Sequence, residues 1–531
     1  MRRFPIWTLI AIFLAAAFSV SCEGPGVPAA RERRGNENIL HYDVNAPFTS
    51  LNPIEVCYSG STMIFPLLYD YLFVPNPQGE LEPDLARKWS YDAKNLTWTI
   101  YLREDARFHD KKPVTSADVK YSLNELLKQK HPAIQGLLDH ISLLSDTALS
   151  IALKRDEPDF FHRTWGMEIF PRPDGGKTDY HNHPVGSGPF RFEYRRGESE
   201  VGLVANEDYF QGRPSLDGVV FHYQPAKEKA WTRLLSGRAD IAQEVSPKNY
   251  EMLGQYEERY YFDLYTLNWY AILLYNTSDP LFSNPRVRRA LTHAINREYI
   301  VEELLGGYGK TALSCMGVSP PFRNQKVEQI PYNPQEALRL LGEAGWSYNK
   351  DSRCLRKGSK PFEFTVLVFD EHQVEKRVAQ YLRLCLNDVG VKVHLRLLPF
   401  EQIYGRYWGN DAFEAVLTEF RCKHDDPENL REQWSGDAST RSEAGCFEHP
   451  EVTALIYKAL EESDPPVRKD LFYEADALIT SLQPGTFLFH KTAIDVMSKR
   501  FRLLMPFSLT NEGIYHLRYA SVNPNWHPSA P

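Results

Sequence analysis

The stretch from Pro184 to Tyr223, PVGSGPFRFEYRRGESEVGLVANEDYFQGRPSLDGVVFHY, constrains the fold more than any other part of the chain. Gly186, Gly188 and Pro189 read as a tight turn, because glycine tolerates positive φ and proline fixes its own. Phe190, Phe192 and Tyr194 then alternate with Arg191, Glu193 and Arg195, the two-residue period of a strand with one buried face. A second apolar run, Val201 to Ala205, ends at Asn206-Glu207-Asp208 and the Gly212-Arg213-Pro214 breaker, and a third runs from Leu216 to Tyr223. Elsewhere the signals change period. A strand at Phe362–Phe369, an amphipathic helix at Gln373–Val389 and a strand at Val391–Leu398 predict a parallel pair with a right-handed crossover. Proline opens and glycine follows a further helix in Pro334–Trp346. Helices are also expected at about Ser61–Leu72, at Ala117–Leu127 behind a Thr115 or Ser116 cap, and at Val467–Leu482. The fold class is α/β.

At 531 residues the chain is too long for one core and long enough for two or three domains. Aromatic residues make up 13% of it, enough to fill large cores or to line a cleft with rings. A net charge of −8 with no basic stripe argues against a nucleic-acid partner. Arg2 and Arg3 precede an apolar run from Ile6 to Phe18, the layout of a secretory signal and too short for a membrane span. Ser19-Val20-Ser21-Cys22 resembles a bacterial lipobox, with Ser19 where an aliphatic residue is usual. Cys22 is the candidate lipidation site, the alternative being a nearby ordinary cleavage site and a soluble product. The Gly/Pro-rich tract Glu23–Asn38 reads as a tether. Beyond Cys22 there remain Cys57, Cys315, Cys354, Cys385, Cys422 and Cys446, an even number that permits disulfides in an exported protein.

The Pro184–Tyr223 block resembles the corresponding stretch of family 5 extracellular solute-binding proteins, the capture subunits of peptide, nickel and related ABC importers. Leu51-Asn52-Pro53, Leu81–Ala86, Trp89-Ser90, Phe108-His109-Asp110 and Ala117–Ser122 resemble the family's opening, with Lys111 where relatives carry glycine. Leu234–Ile241, Ala271–Asn276 and Pro285–Ile295 resemble later segments, so the likeness covers nearly all of residues 39–510. It implies a two-lobed periplasmic-binding-protein-like fold (type II, cluster C) with an extra subdomain in the first lobe. The expected layout is a signal at 1–21 and a tether at 22–38. Lobe one then spans 39–270 with an insertion at about 60–185, lobe two 271–490, and residues 491–531 return to lobe one. The lobes are joined near Tyr265–Asn276 and Phe487–Asp495. The implied function is non-catalytic. A small solute, by default an oligopeptide, is captured by hinge closure and delivered to an inner-membrane ABC permease, from a monomer anchored outside the cytoplasm by its N-terminal lipid. A metal-chelate or nickel binder and a ligand sensor without transport are the alternatives. No cofactor is expected.

The same resemblance supplies candidate ligand contacts. Phe420-Arg421-Cys422-Lys423-His424-Asp425-Asp426-Pro427 resembles a segment in which peptide-binding members carry an aspartate that holds the ligand's α-amino group. Lys423 occupies that place, and a cation there repels an ammonium by about 1 kcal/mol at 4 Å even in water. A shift of one or two residues gives the role to Asp425 or Asp426. Dipeptide-binding members carry a basic residue after the strand matching Phe362–Phe369, where this chain has Asp370. Cys57-Tyr58-Ser59 falls where relatives pair ligand backbone with a strand, and Trp269 and Tyr270 lie near the expected hinge. Some peptide-binding relatives bridge a loop near Cys422 and Cys446, which makes these the candidate disulfide. His181 and His183 are too few for a metal site by themselves. Gly306–Thr311 lacks the first glycine of a phosphate loop, since Leu304 stands there, and reads as a turn ending a helix.

Overall fold

The computed structural model describes residues 38–55, 60–75, 81–130, 137–157, 160–163, 166–173, 179–317, 324, 326–370, 372–409, 413–421, 428–436, 447–462, 464–502 and 516–523. An 11-stranded sheet runs through both halves of the protein. In one half Ile241–Ala242, Ile39–Val44 and Gly218–Tyr223 are parallel, and Glu200–Ala205 and Phe190–Arg196 continue the sheet antiparallel. In the other half Lys392–Leu398, Glu363–Phe369 and Ala415–Arg421 are parallel, with the Gln373–Asp388 helix making the expected crossover. Two long antiparallel strands, Tyr260–Tyr275 and Gly485–Ser498, join the halves.

Each half has its own core. In the first, Leu40, Tyr42, Phe190, Leu203 and Phe221 pack with an inserted four-stranded antiparallel sheet containing Thr97–Leu102 and Ala148–Leu153. In the second, the sheet is buried on both faces, as expected of parallel strands between helix layers. Ala271, Leu273 and Tyr275 face the Pro285–His293, Pro334–Glu343 and Gln373–Asp388 helices, while Tyr270, Ile272 and Leu274 face Pro450–Glu461 and Pro465–Leu482. Arg288 and Arg297 are buried in this half and donate only to backbone carbonyls among their described bonds. Arg288 reaches Phe282, Leu482 and Gln483, and Arg297 reaches Ala312, Ile330 and Phe487. They tie loops and the end of a helix to the sheet.

Local signals hold where chemistry is local. Asn333 caps the Pro334–Glu343 helix by accepting from the Glu336 amide, and Gly345 follows it at φ +89°. Thr115 precedes the Ser116–Lys130 helix, and Asp118 reaches back to accept from the Thr115 amide at 3.0 Å. Gly306 and Gly307, at φ +64° and +81°, end the Ile300–Leu304 turn as expected.

Two expectations change. Ser61–Leu72 is not one helix: a 3-10 turn at Gly60–Met63 precedes a single α turn at Phe65–Leu68, after which Tyr69 is extended. Tertiary contacts override propensity there, because Asp70 must bridge to Ile169 and meet Tyr209 and Arg518. Gly186 and Gly188 are also absent from the residues at positive φ. They are needed for close approach instead, since a Cβ on Gly186 would sit 1.9 Å from the Leu68 carbonyl oxygen.

Lys111 does adopt φ +74°, the left-handed conformation for which its relatives' glycine is suited. An L side chain there costs about 1–2 kcal/mol. Lys111→Gly is expected to raise stability by about 1 kcal/mol in urea unfolding, less the small contribution of its exposed pair with Asp208. An unchanged midpoint would show that the turn carries no strain.

Candidate functional site

The two joining strands lose register where they pass between the halves. Thr266 pairs with Thr492 and Tyr270 with His490, so three residues, Leu267 to Trp269, stand against Lys491 alone. A bulge of this kind turns a side chain outward and loosens the ladder. Trp269 is accordingly 39% exposed, a large apolar ring left open at the junction. The carboxyl ends of the parallel strands Glu363–Phe369 and Ala415–Arg421 reach the same region, which is where open α/β sheets leave a ligand crevice. Trp269 pairs across the ladder with Arg421. Asp370 ends the first of these strands, its exposed carboxylate 3.2 Å from Lys376 Nζ, and Phe369 beside it stacks on Phe400.

Two charge clusters flank the junction. Lys491 sits between Glu375, from the first turn of the Gln373–Asp388 helix, and Glu419, whose Oε1 lies 2.6 Å from its ammonium. Burial opposes ionisation of all three. For Glu375 the ammonium of Lys491 outweighs burial and holds the carboxyl low. Glu419 remains above the ordinary carboxylate range, while its two glutamate neighbours hold Lys491 high. On the other side Asp495 is fully buried. It accepts from the Glu244 amide at 2.8 Å and from the Tyr265 hydroxyl at 3.0 Å. Burial, with the charges of Glu244 and Asp263 adding to it, raises its pKa to about 7 against the opposing pull of those two hydrogen bonds.

The structure separates the sequence-derived candidates. Trp269 and Asp370 are open. Tyr270 has no exposed surface and donates to Gln433 Oε1 at 3.1 Å, and its ring meets Phe420 edge-on. Phe420, 4% exposed, packs in turn on Trp434, so both rings are core residues of the second half in this conformation. Period alone did not distinguish them from Trp269, because both faces of this sheet segment are apolar. Cys22, Cys57, Tyr58, Ser59, Cys422, Lys423, Asp425, Asp426 and Cys446 lie outside the described residues. Cys315, Cys354 and Cys385 are buried thiols outside any disulfide, and Cys315 donates to Asp476 Oδ1 at 2.9 Å. His181 lies 3.0 Å from Ser50 Oγ and His183 stands edge-on to Phe192. Among the described residues no three His, Cys, Asp or Glu side chains converge as metal ligands. Sequence reasoning missed Glu375, Glu419, Lys491, Tyr265 and Asp495, which come from distant segments and form no motif.

A family model described as bacterial extracellular solute-binding proteins, family 5 Middle, matches residues 80–442. The chain belongs to this family. The solute-binding protein is 26% identical over 509 residues to the oligopeptide-binding protein AppA of Bacillus subtilis, covering 91% of each chain. The structure of AppA in complex with a nonapeptide superposes with a TM-score of 0.74 at 22% identity, over 91% of this chain and 99% of that one. NikA from Brucella suis in complex with Fe(III)-EDTA gives a TM-score of 0.80 at 20% identity, over 91% and 100%. These likenesses establish the two-lobed solute-binding fold.

Proposed function

We propose that this protein captures an oligopeptide outside the cytoplasm by closing its lobes on it, and hands it to an ABC permease. The observation that carries the reading is the full-length match to an oligopeptide-binding relative, with 91% of both chains covered. The open Trp269 at the bulged junction gives that reading a physical place for a ligand. Closure around a ligand that touches both lobes follows from its higher affinity for the closed state. Lys423, Asp425, Asp426 and the Cys57-Tyr58-Ser59 segment are the proposed partners of Trp269. Lys423 sets the charge preference, favouring an anionic group where relatives hold an amine. Lipidation at Cys22 would keep a monomer at the membrane through the Glu23–Asn38 tether.

Native mass spectrometry of protein purified from its own host tests the reading, with a bound peptide the expected result. A metal chelate recovered in its place would move the protein to the nickel-type branch of the family. Trp269→Ala is expected to weaken binding of the recovered peptide about tenfold in calorimetry, the loss of one stacked aromatic contact and its buried area. Unchanged affinity would remove Trp269 from the site.

A further inference from the structure

A second bridge between the lobes lies outside the joining strands. Glu157 follows the Ala148–Leu153 strand of the inserted sheet in the first lobe, and Arg468 lies in the Pro465–Leu482 helix of the second. Arg468 Nη1 is 3.1 Å from Glu157 Oε1, and the two residues are 8% and 1% exposed. Arg155 adds a longer contact to the same carboxylate at 3.7 Å. Arg468 Nε donates to the Glu462 carbonyl at 2.8 Å. On the other lobe, the Glu157 amide donates to the Tyr91 hydroxyl at 3.3 Å.

We infer that Glu157 and Arg468 form a clasp that sets ligand affinity without touching ligand. The inference rests on the closure reading above. The ion pair spans the two lobes, so separation of the lobes breaks it, and removal of Arg468 takes its contact from the closed state alone. The clasp therefore biases the open–closed equilibrium, and apparent affinity scales with the fraction of molecules able to close.

X-ray scattering of the ligand-free full chain tests it. Arg468→Gln is expected to raise the ratio of open to closed molecules at least about tenfold, read as a larger radius of gyration. Arg468→Lys, which keeps the charge but not the guanidinium fork, is expected to fall between it and the parent. The exchanged pair Glu157→Arg with Arg468→Glu is expected to restore compactness, a rescue that a merely structural role for Arg468 would not give. A parent that contracts with a tryptic digest of casein, but whose Arg468→Gln variant keeps the parent's ligand-free profile, would overturn the clasp and leave closure standing. A parent whose profile is the same with and without the digest, by scattering and by hydrogen exchange, would overturn both.

Discussion

Replacing Arg518 by alanine is expected to destabilise the protein by about 3–5 kcal/mol, the usual loss when one partner of a buried charge group is removed. Arg518 comes from the short His516–Tyr519 turn near the C-terminus and reaches a site assembled by distant parts of the first lobe. Its guanidinium donates to the Tyr209 hydroxyl at 2.8 Å and to the Pro66 carbonyl at 3.0 Å, and lies 3.6 Å from Asp70 and 3.9 Å from Asp84. Tyr209 passes the contact on by donating to Asp70 Oδ1 at 2.9 Å. Both carboxyls are buried. Burial raises the pKa of each, most clearly Asp84, which reaches about 7 as its neighbour Asp70 adds to the effect and Arg518 opposes it.

Without Arg518 these carboxyls have lost their principal cation. The variant is therefore expected to be most impaired at pH 8, where both tend to ionise, and less so at pH 5, where proton uptake relieves them. Asp84→Asn in the Arg518→Ala background is expected to recover part of the loss, since it removes a charge and keeps an acceptor oxygen for the Tyr71 amide, although its NH2 can pair with Gln211 only if that side-chain amide turns to accept. Urea unfolding at the two pH values measures this. Equal losses at pH 5 and pH 8 would mean that Arg518 contributes through its packing and carbonyl contacts alone.

The legible parts of this protein are those whose cause lies within a few residues. The Phe190–Arg196 and Glu200–Ala205 strands follow from alternation and turn residues, the Pro334–Glu343 helix from its proline, cap and glycine, and the parallel pair around Gln373–Asp388 from a change of period. The helix expected at Ser61–Leu72 broke because Asp70 serves partners far away in sequence: its backbone bridges to Ile169, and its carboxyl meets Tyr209 and Arg518. The site was less legible for the same reason. Trp269 and Tyr270 are adjacent in a run apolar at every position, and only the register shift decides that one is open and the other buried. The clusters around Lys491 and Asp495 draw on helix, strand and loop residues far apart in the chain, so no spacing announces them.

Asp495→Asn is expected to stabilise the protein above pH 7 and to flatten its dependence on pH. Asp495 lies in the Gly485–Ser498 strand directly opposite Asp263, with Glu244, Tyr265 and the buried Tyr42 hydroxyl around it. Its folded pKa of about 7 lies above the ordinary unfolded value near 4. Such a group contributes stability that is complete below the unfolded pKa and is lost as pH rises through the folded one. The total difference approaches about 4 kcal/mol at about 1.4 kcal/mol per tenfold change in proton affinity, and its larger part falls between pH 5 and pH 8. Asparagine keeps an acceptor for the Glu244 amide and a polar partner for Tyr265, but cannot ionise. The melting temperature of the variant should therefore separate progressively above that of the parent from pH 5 to pH 8.5, whereas parallel curves would mean that Asp495 titrates as an ordinary carboxyl. An ionised Asp495 facing Asp263 and Glu244 is repelled by both carboxylates, and its neutral form is not.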